Sequence, residues 1–129
     1  MIRILLTGAA VLAVCATGSI PQSRADEHPT GGIVASSGYG LSAMIESWGG
    51  CPRDLGIRAD TAEAVAGIAD LAGNADLILT MGGASVGDHD MIRRTPGLAL
   101  DFWKIAMRPG KPLIFGKLGS TPLLGLPGN

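Results

Sequence analysis

Apolar residues recur along this chain with two different periods, one typical of helices and one typical of buried strands. A first helix is predicted by four apolar residues spaced i, i+3, i+4 and i+7: Leu41, Met44, Ile45 and Trp48. Ser36 and Ser37 are its candidate N-caps, and the glycines at 49 and 50 end it. A second helix is predicted over residues 60–73, with Asp60 or Thr61 as its cap. Its apolar face consists of Ala62, Val65, Ala66, Ala69 and Ala72.

Short apolar runs bounded by turn residues predict the strands. They lie at residues 10–16, around "RDLGI", in "DLILTM" at 76–81, and in "FWKIAM", "PLIFGKL" and "PLLGLPG" near the end of the chain. A short helix is also predicted over Met91–Arg94. Alternating strands and helices are typical of α/β proteins, so we expect a three-layer sandwich with a mostly parallel central sheet flanked by helices. Ligands of such sheets bind at the carboxyl ends of the strands.

A length of 129 residues fits one domain, which we place at residues 10–129, with residues 1–9 as an N-terminal lead-in. Residues 17–32 are rich in Pro, Gly and charge and predict a long surface loop. Cys15 and Cys51 are expected to be reduced, buried thiols. No apolar run reaches the roughly 18 residues of a membrane-spanning helix. The start "MIRILLTGAAVLAVCATGSI" fits both a secretory signal peptide and a buried strand that leads into a glycine loop.

Charge is distributed unevenly along the chain, although its net value is only −1. Residues 1–90 hold four basic and ten acidic side chains, whereas residues 91–129 hold six basic and one acidic. This asymmetry suits an anionic small ligand bound together with a metal ion, and scattered solvated charges are the alternative.

Glycines and aspartates follow the predicted strand ends. The small residues of "GGASVGD" after Met81 either bring backbone N–H groups close to an anion or form a tight turn. Asp60, Asp88 and Asp90 either bind Mg²⁺ through carboxylate oxygens or cap the helices that follow them.

A basic segment follows later in the chain. Lys104, Arg108 and Lys111 surround a Pro-Gly turn and either bind an oxyanion together or form an exposed basic turn. His28 and His89 have no partner ligands at metal-binding spacing, so zinc chemistry has little support.

These motifs, in chain order, resemble the molybdopterin-binding domain of the molybdopterin molybdotransferases, the MoeA and gephyrin E-domain family. The resemblance covers about residues 10–129 and rests on five stretches: "ATG" at 16–18, "DLGIRAD" at 54–60, "MGGASVGDHD" at 81–90, "FWKIAMRPGKP" at 102–112 and "GLPGN" at 125–129. The last two distinguish the family from its adenylyltransferase and CinA-type relatives. The resemblance implies a MogA-like fold and a cytoplasmic protein, because "AVLAVCATG" is then needed as a strand and loop rather than as a signal peptide.

The resemblance also implies an enzyme of molybdenum cofactor biosynthesis that takes adenylylated molybdopterin and molybdate, uses Mg²⁺ and releases AMP. It implies catalytic roles for Asp60, Asp90, Lys104 and Arg108, with the two aspartates also binding the metal. The implied pterin-binding positions are Thr17, Gly18, Ser37, Gly82, Gly83, Ser85, Gly87, Asp88, Lys111, Pro127 and Gly128. Full-length relatives are expected to be homodimers that cooperate with other molybdenum-cofactor enzymes. Neither a nucleic acid nor a membrane is expected as a partner.

Two departures from the family pattern bear on turnover. Relatives have T-G-D-E-L where this chain has Thr17-Gly18-Ser19-Ile20-Pro21, so both acidic residues are absent and Ile20 cannot bind Mg²⁺. Relatives also continue beyond "GLPGN" into "PVS" and another helix, so a domain truncated at its C-terminus is expected. Two alternatives to a working molybdotransferase follow: a molybdopterin-binding domain or fragment without turnover, and a molybdopterin adenylyltransferase.

Overall fold

The computed structural model describes residues 10–18, 22–23, 33–34, 36–59, 61–82, 95–103 and 113–127. The helices in these ranges are α1 (Ser37–Ser47) and α2 (Ala62–Ala72). The strands are β1 (Val11–Gly18), β2 (Gln22–Ser23), β3 (Ile33–Val34), β4 (Cys51–Ala59), β5 (Leu77–Met81), β6 (Leu98–Trp103), β7 (Ile114–Leu118) and β8 (Thr121–Leu126). Their order confirms the expected alternation of strands and helices in the first half of the chain.

Six strands form one sheet in the order β4-β1-β5-β8-β7-β6. β4, β1, β5 and β8 pair in parallel, and β7 runs antiparallel to both β8 and β6. β2 and β3 form a separate short parallel pair. The main sheet is therefore mostly parallel, as the sequence predicts, with an antiparallel hairpin at one side.

Each face of the sheet packs against a different helix. Along β5, Ile78 belongs to a core that includes Ile68 of α2, whereas Leu79 belongs to a core that includes Ile45 of α1. The α2-side core consists of Ala13, Ile68, Ala72, Ala75, Ile78, Ile114, Leu118 and Leu123. The α1-side core consists of Val14, Ile45, Leu79 and Met81. Alternate strand residues thus face opposite helices, which confirms the three-layer sandwich.

One side chain forms a hydrogen bond with the backbone at each end of α2. Thr61 is the N-cap, and its hydroxyl accepts a hydrogen bond of 3.2 Å from the Ala64 N–H. At the other end, Arg53 of β4 donates from Nη1 to the Ala72 carbonyl over 2.7 Å. Because a helix end leaves carbonyls without intrahelical partners, Arg53 both caps α2 and ties it to the edge strand.

Several boundaries differ from the sequence predictions. β6 covers residues 98–103 and so begins earlier than "FWKIAM", and the predicted surface loop over residues 17–32 contains β2. The packed face of α2 is Val65, Ile68, Ala69 and Ala72, so the prediction omitted its fully buried isoleucine. Cys51 is a free thiol, but its predicted burial is wrong, since it is exposed as the first residue of an edge strand. The short helix predicted over Met91–Arg94 lies outside the described residues.

Candidate functional site

The carboxyl ends of four parallel strands lie side by side at one edge of the sheet, which we call the carboxyl edge. Gly18 at the end of β1 pairs with Ala59 at the end of β4. Ala16 pairs with Met81 at the end of β5, and Met81 pairs with Leu126 at the end of β8. The chain segments that follow these strands therefore all start at the same edge.

The β6–β7 hairpin brings a fifth segment to the carboxyl edge. Trp103, the last residue of β6, pairs with Ile114, the first residue of β7. Ile114 in turn pairs with Gly125, one residue before the end of β8. The segment over residues 104–112, which contains the three predicted anion-binding cations, therefore starts and ends at this edge.

The described part of the chain includes five of the predicted site positions. Thr17 and Gly18 end β1, Ser37 begins α1, and Gly82 and Pro127 directly follow β5 and β8. The other predicted positions lie outside the described residues: Asp60, Gly83, Ser85, Gly87, Asp88, Asp90, Lys104, Arg108, Lys111 and Gly128. Their individual roles remain predictions, and the described residues next to them fix where their segments begin.

Gly82 has a turn conformation directly after β5. Its φ of 87° lies in the region that favours glycine, and its N–H donates to the Leu126 carbonyl over 3.2 Å. This hydrogen bond extends the β5–β8 pairing by one step beyond the ladder. The glycine loop therefore begins from a fixed backbone position between the ends of these two strands.

The amino end of α1 also lies at the carboxyl edge. A Cβ placed on Gly38, in the first turn of the helix, would be 3.7 Å from the Met81 Cε atom, which is an ordinary contact distance. Ser36 occupies the N-cap position, so Ser37 is the first helical residue rather than the cap. The Ser36 side chain makes no capping hydrogen bond, and the first turn of α1 contains no acidic residue. Neither the cap residue nor the first turn of α1 therefore neutralises the partial positive charge of this helix end.

A β-bulge near the end of β4 was not predicted from the sequence. The register between β1 and β4 shifts after Val14, and Gly56 has a φ of 76°. Asp54 and Arg58 make hydrogen bonds to the backbone of this bulge. The available signal was the glycine within "RDLGIRA", since a glycine inside a strand pattern often marks a bulge.

The described residues contain neither a metal-binding cluster nor a membrane-spanning helix. No group of three or more His, Cys, Asp or Glu residues suited to a metal ion occurs among the described residues. The predicted metal ligands, Asp60 and Asp90, lie outside those residues, so the magnesium site stays a prediction. Within the same ranges, no helix is long and apolar enough to cross a membrane.

Comparison with known proteins identifies similar chains. The family described as "Probable molybdopterin binding domain" matches residues 3–129. The chain is 43% identical over 103 residues to a molybdopterin molybdenumtransferase of Haemophilus influenzae, covering 78% of this chain and 26% of that protein. It is 37% identical over 106 residues to one of Nostoc sp., covering 77% of this chain and 24% of that protein. The chain thus spans about a quarter of the length of these relatives.

Solved structures agree with the sequence comparison. A MoeA molybdopterin biosynthesis protein from Pyrococcus horikoshii matches with a TM-score of 0.79 at 28% identity, covering 93% of this chain and 30% of that one. A Mog protein from Mycobacterium ulcerans has a TM-score of 0.60 at 20% identity, covering 95% of this chain and 85% of that one, and so shares the fold. The match over nearly the whole sequence, together with the MoeA- and Mog-type fold, shows that the chain belongs to the molybdopterin-binding domain family.

Proposed function

We propose that this chain binds molybdopterin and its adenylylated form at the carboxyl edge, as the pterin-binding part of a molybdotransferase in molybdenum cofactor biosynthesis. One observation supports this most strongly: all five motif stretches begin or end at that single edge. The family match and the similarity to molybdopterin molybdenumtransferases specify the class of ligand. Ligand binding at the carboxyl ends of parallel strands is the general rule for this kind of sheet.

The phosphate groups of the ligand have a suitable position between α1 and the glycine loop. The amino end of α1 lacks both a side-chain cap and an acidic residue, and Gly38 lies against the end of β5. Gly82, which opens the glycine loop, follows the same strand. Backbone N–H groups at a helix start and in a glycine loop bind phosphate well, because they add hydrogen bonds to a favourable dipole.

The width of the sheet favours an elongated ligand. Five strand spacings separate β4 from β6, which is about 24 Å at roughly 4.8 Å per spacing. A ligand that contacts both the β4 end and the β6 end of this edge must be elongated, which suits an adenylylated pterin better than molybdate alone.

Turnover in this proposal uses Asp60 and Asp90 together with the basic segment. Asp60 directly follows Ala59 in the sequence, Ala59 ends β4 at the carboxyl edge, and carboxylate oxygens are ligands that Mg²⁺ prefers. Asp60 and Asp90 would hold Mg²⁺, which would neutralise charge on the pyrophosphate linkage of the adenylylated pterin. Lys104 and Arg108 would stabilise the charge that develops when a water oxygen bonds to a phosphorus of the linkage and the bridging P–O bond breaks, so that AMP leaves and the pterin phosphate is the other product.

Binding and turnover are tested separately with the 129-residue chain. Adenylylated molybdopterin is titrated and its affinity measured; AMP release is then followed with Mg²⁺ and molybdate present. Lys111→Met is expected to weaken binding about 10- to 150-fold, because a hydrogen bond to a charged group contributes about 1.5–3 kcal/mol. Lys117→Met is the matched control, since Lys117 is exposed on β7 and pairs with Pro122, away from the carboxyl edge. Absence of pterin binding by the unmodified chain would refute the proposal.

Binding without turnover is a second candidate, favoured by Ser19 and Ile20 in place of the family's acidic pair. This candidate predicts pterin binding with no molybdate-dependent release of AMP. The double change Ser19→Asp with Ile20→Glu is expected to restore AMP release if the missing carboxylates are the cause. Incubation with ATP and molybdopterin tests the third function, since AMP transfer to the pterin would identify an adenylyltransferase.

A further inference from the structure

One peptide unit of β4 is displaced from the sheet. The register places two residues of β4, Leu55 and Gly56, opposite the single residue Cys15 of β1. Such bulges are rare in parallel pairs and are frequent beside functional sites, where they redirect the strand. This one lies close to the carboxyl edge, because only Ile57, Arg58 and Ala59 separate it from the end of the strand.

Both polar groups of the displaced peptide are held by side chains of the same strand. The Gly56 N–H donates to Asp54 Oδ1 over 2.7 Å. On the other side of the same peptide, the Leu55 carbonyl accepts a hydrogen bond of 3.0 Å from Arg58 Nη2. We call Asp54 and Arg58 together the bulge clamp. It replaces the ladder hydrogen bonds that the bulge removes, so the bulge is a stable feature rather than a defect.

The bulge determines which way the last residues of β4 face. Leu55 packs against the α2-side core, whereas Ile57 packs against the α1-side core. In a regular strand these two residues would share one face, because side chains alternate with a period of two. Losing the bulge would shift the strand end by one residue, about 3.3 Å, and reverse the direction of its side chains. The residue that follows Ala59 would shift with it.

Arg58 combines one hydrogen bond to the bulge with one buried donor that has no partner. Among the described residues, Arg58 Nε is the one buried side-chain nitrogen or oxygen without a hydrogen-bond partner. Burying a donor without an acceptor is unfavourable, and a methionine would fill similar space without that cost. The contact that arginine adds is its hydrogen bond to the bulge.

We propose that Asp54 and Arg58 are positioning residues. By holding the Leu55–Gly56 peptide out of the ladder, they fix the register at which β4 presents Asp60 to the carboxyl edge. The link to ligand binding rests on the proposed function, whereas the effect on strand register does not depend on it.

The test uses the full chain and compares two arginines of the same strand. Arg58→Met removes the donor to Leu55 and keeps a stem of similar length, and Arg58→Lys keeps a single donor. Arg53→Met is the matched control, because Arg53 also donates to a backbone carbonyl, that of Ala72, but five residues earlier in β4. Hydrogen exchange of the Gly56 amide, cross-strand nuclear Overhauser effects between residues 57–59 and β1, and affinity for adenylylated molybdopterin are measured for each variant.

Arg58→Met is expected to speed Gly56 amide exchange at least 10-fold, alter the cross-strand contacts and weaken pterin binding at least fivefold. Arg58→Lys should stay within twofold of the original chain in both exchange and affinity. Arg53→Met should lower the melting temperature and leave the Gly56 exchange and the affinity within twofold. If Arg58→Met does not fold, Asp54→Ala at an exposed position serves instead, with Asp54→Asn, which keeps the acceptor oxygen, as its control.

If the folded variant shows unchanged hydrogen exchange of the Gly56 amide and an unchanged register between β4 and β1, the proposed role of the bulge clamp is refuted. Altered register with unchanged affinity would overturn its link to Asp60. If the original chain binds no pterin, the proposed function fails, and the clamp is still judged by exchange and register alone.

Discussion

Among the glycines for which the structure gives the neighbours of an added Cβ, Gly116 has the closest contacts. A Cβ at this residue of β7 would overlap the Ala99 carbonyl oxygen and lie 2.9 Å from the Leu100 Cα atom of β6. Relief of this overlap requires β6 to move outward by about 1 Å, which lengthens hydrogen bonds of about 2.9 Å beyond their useful range. Two weakened ladder bonds at about 1 kcal/mol each, with part of the Phe102–Phe115 ring contact, give a loss of about 2–3 kcal/mol.

Thermal unfolding followed by circular dichroism measures this loss. For a chain of 129 residues, 1 kcal/mol corresponds to about 4 °C, so Gly116→Ala should lower the melting temperature by about 8–12 °C. Gly67→Ala is the control, because Gly67 lies inside α2 and an added Cβ there meets nothing within 4 Å. It should raise stability by about 0.5–1 kcal/mol, since alanine favours helix. A melting temperature for Gly116→Ala within 2 °C of the original chain would refute this account of β6–β7 packing.

Two further changes test the α2-side core and the start of β1. Ile68→Ala should cost about 3–4 kcal/mol in urea unfolding, because Ile68 is 0% exposed. Leu71→Ala in the same helix should cost less than about 1 kcal/mol, because Leu71 is 46% exposed, and equal losses would contradict this assignment of the core. Asp76→Ala should cost about 1 kcal/mol and speed exchange of the Val11 amide, which donates to Asp76 Oδ2 over 2.8 Å, whereas an unchanged exchange rate would show that this bond is not formed in solution.

The sequence predicted the elements whose patterns are long or strongly apolar. Residues 77–81 are apolar except for Thr80, and they form β5 because a strand buried on both faces needs no alternation. The first helix was predicted correctly, and α1 covers Ser37–Ser47, but Met44 and Trp48 of its predicted apolar face are exposed. Convergence of the motifs at one edge was also predictable, since parallel strands bring their carboxyl ends together.

Features set by contacts distant in sequence were not predictable in the same way. The early start of β6 depends on pairing of Leu98 with Leu118, twenty residues further along the chain. The bulge in β4 depends on both helices, because Leu55 and Ile57 must reach cores on opposite faces of the sheet. The alternation of apolar and polar residues within "RDLGIRA" does not show which face of the sheet each side chain meets. Exposure of Cys51 follows from the position of β4 at the sheet edge, which strand order alone decides.

The two helix starts at the carboxyl edge differ in charge, and this difference suggests how a ligand is oriented. At α2, the Thr61 hydroxyl caps an amide, and Glu63 lies in the first turn, so the positive helix end is largely compensated. At α1, the cap residue makes no side-chain hydrogen bond and the first turn holds no acidic residue, so these described residues leave the positive helix end uncompensated. α1 begins next to the end of β5, whereas α2 follows β4 and Asp60. We therefore expect phosphate groups between α1 and the glycine loop, and a cation at the β4 end of the same edge.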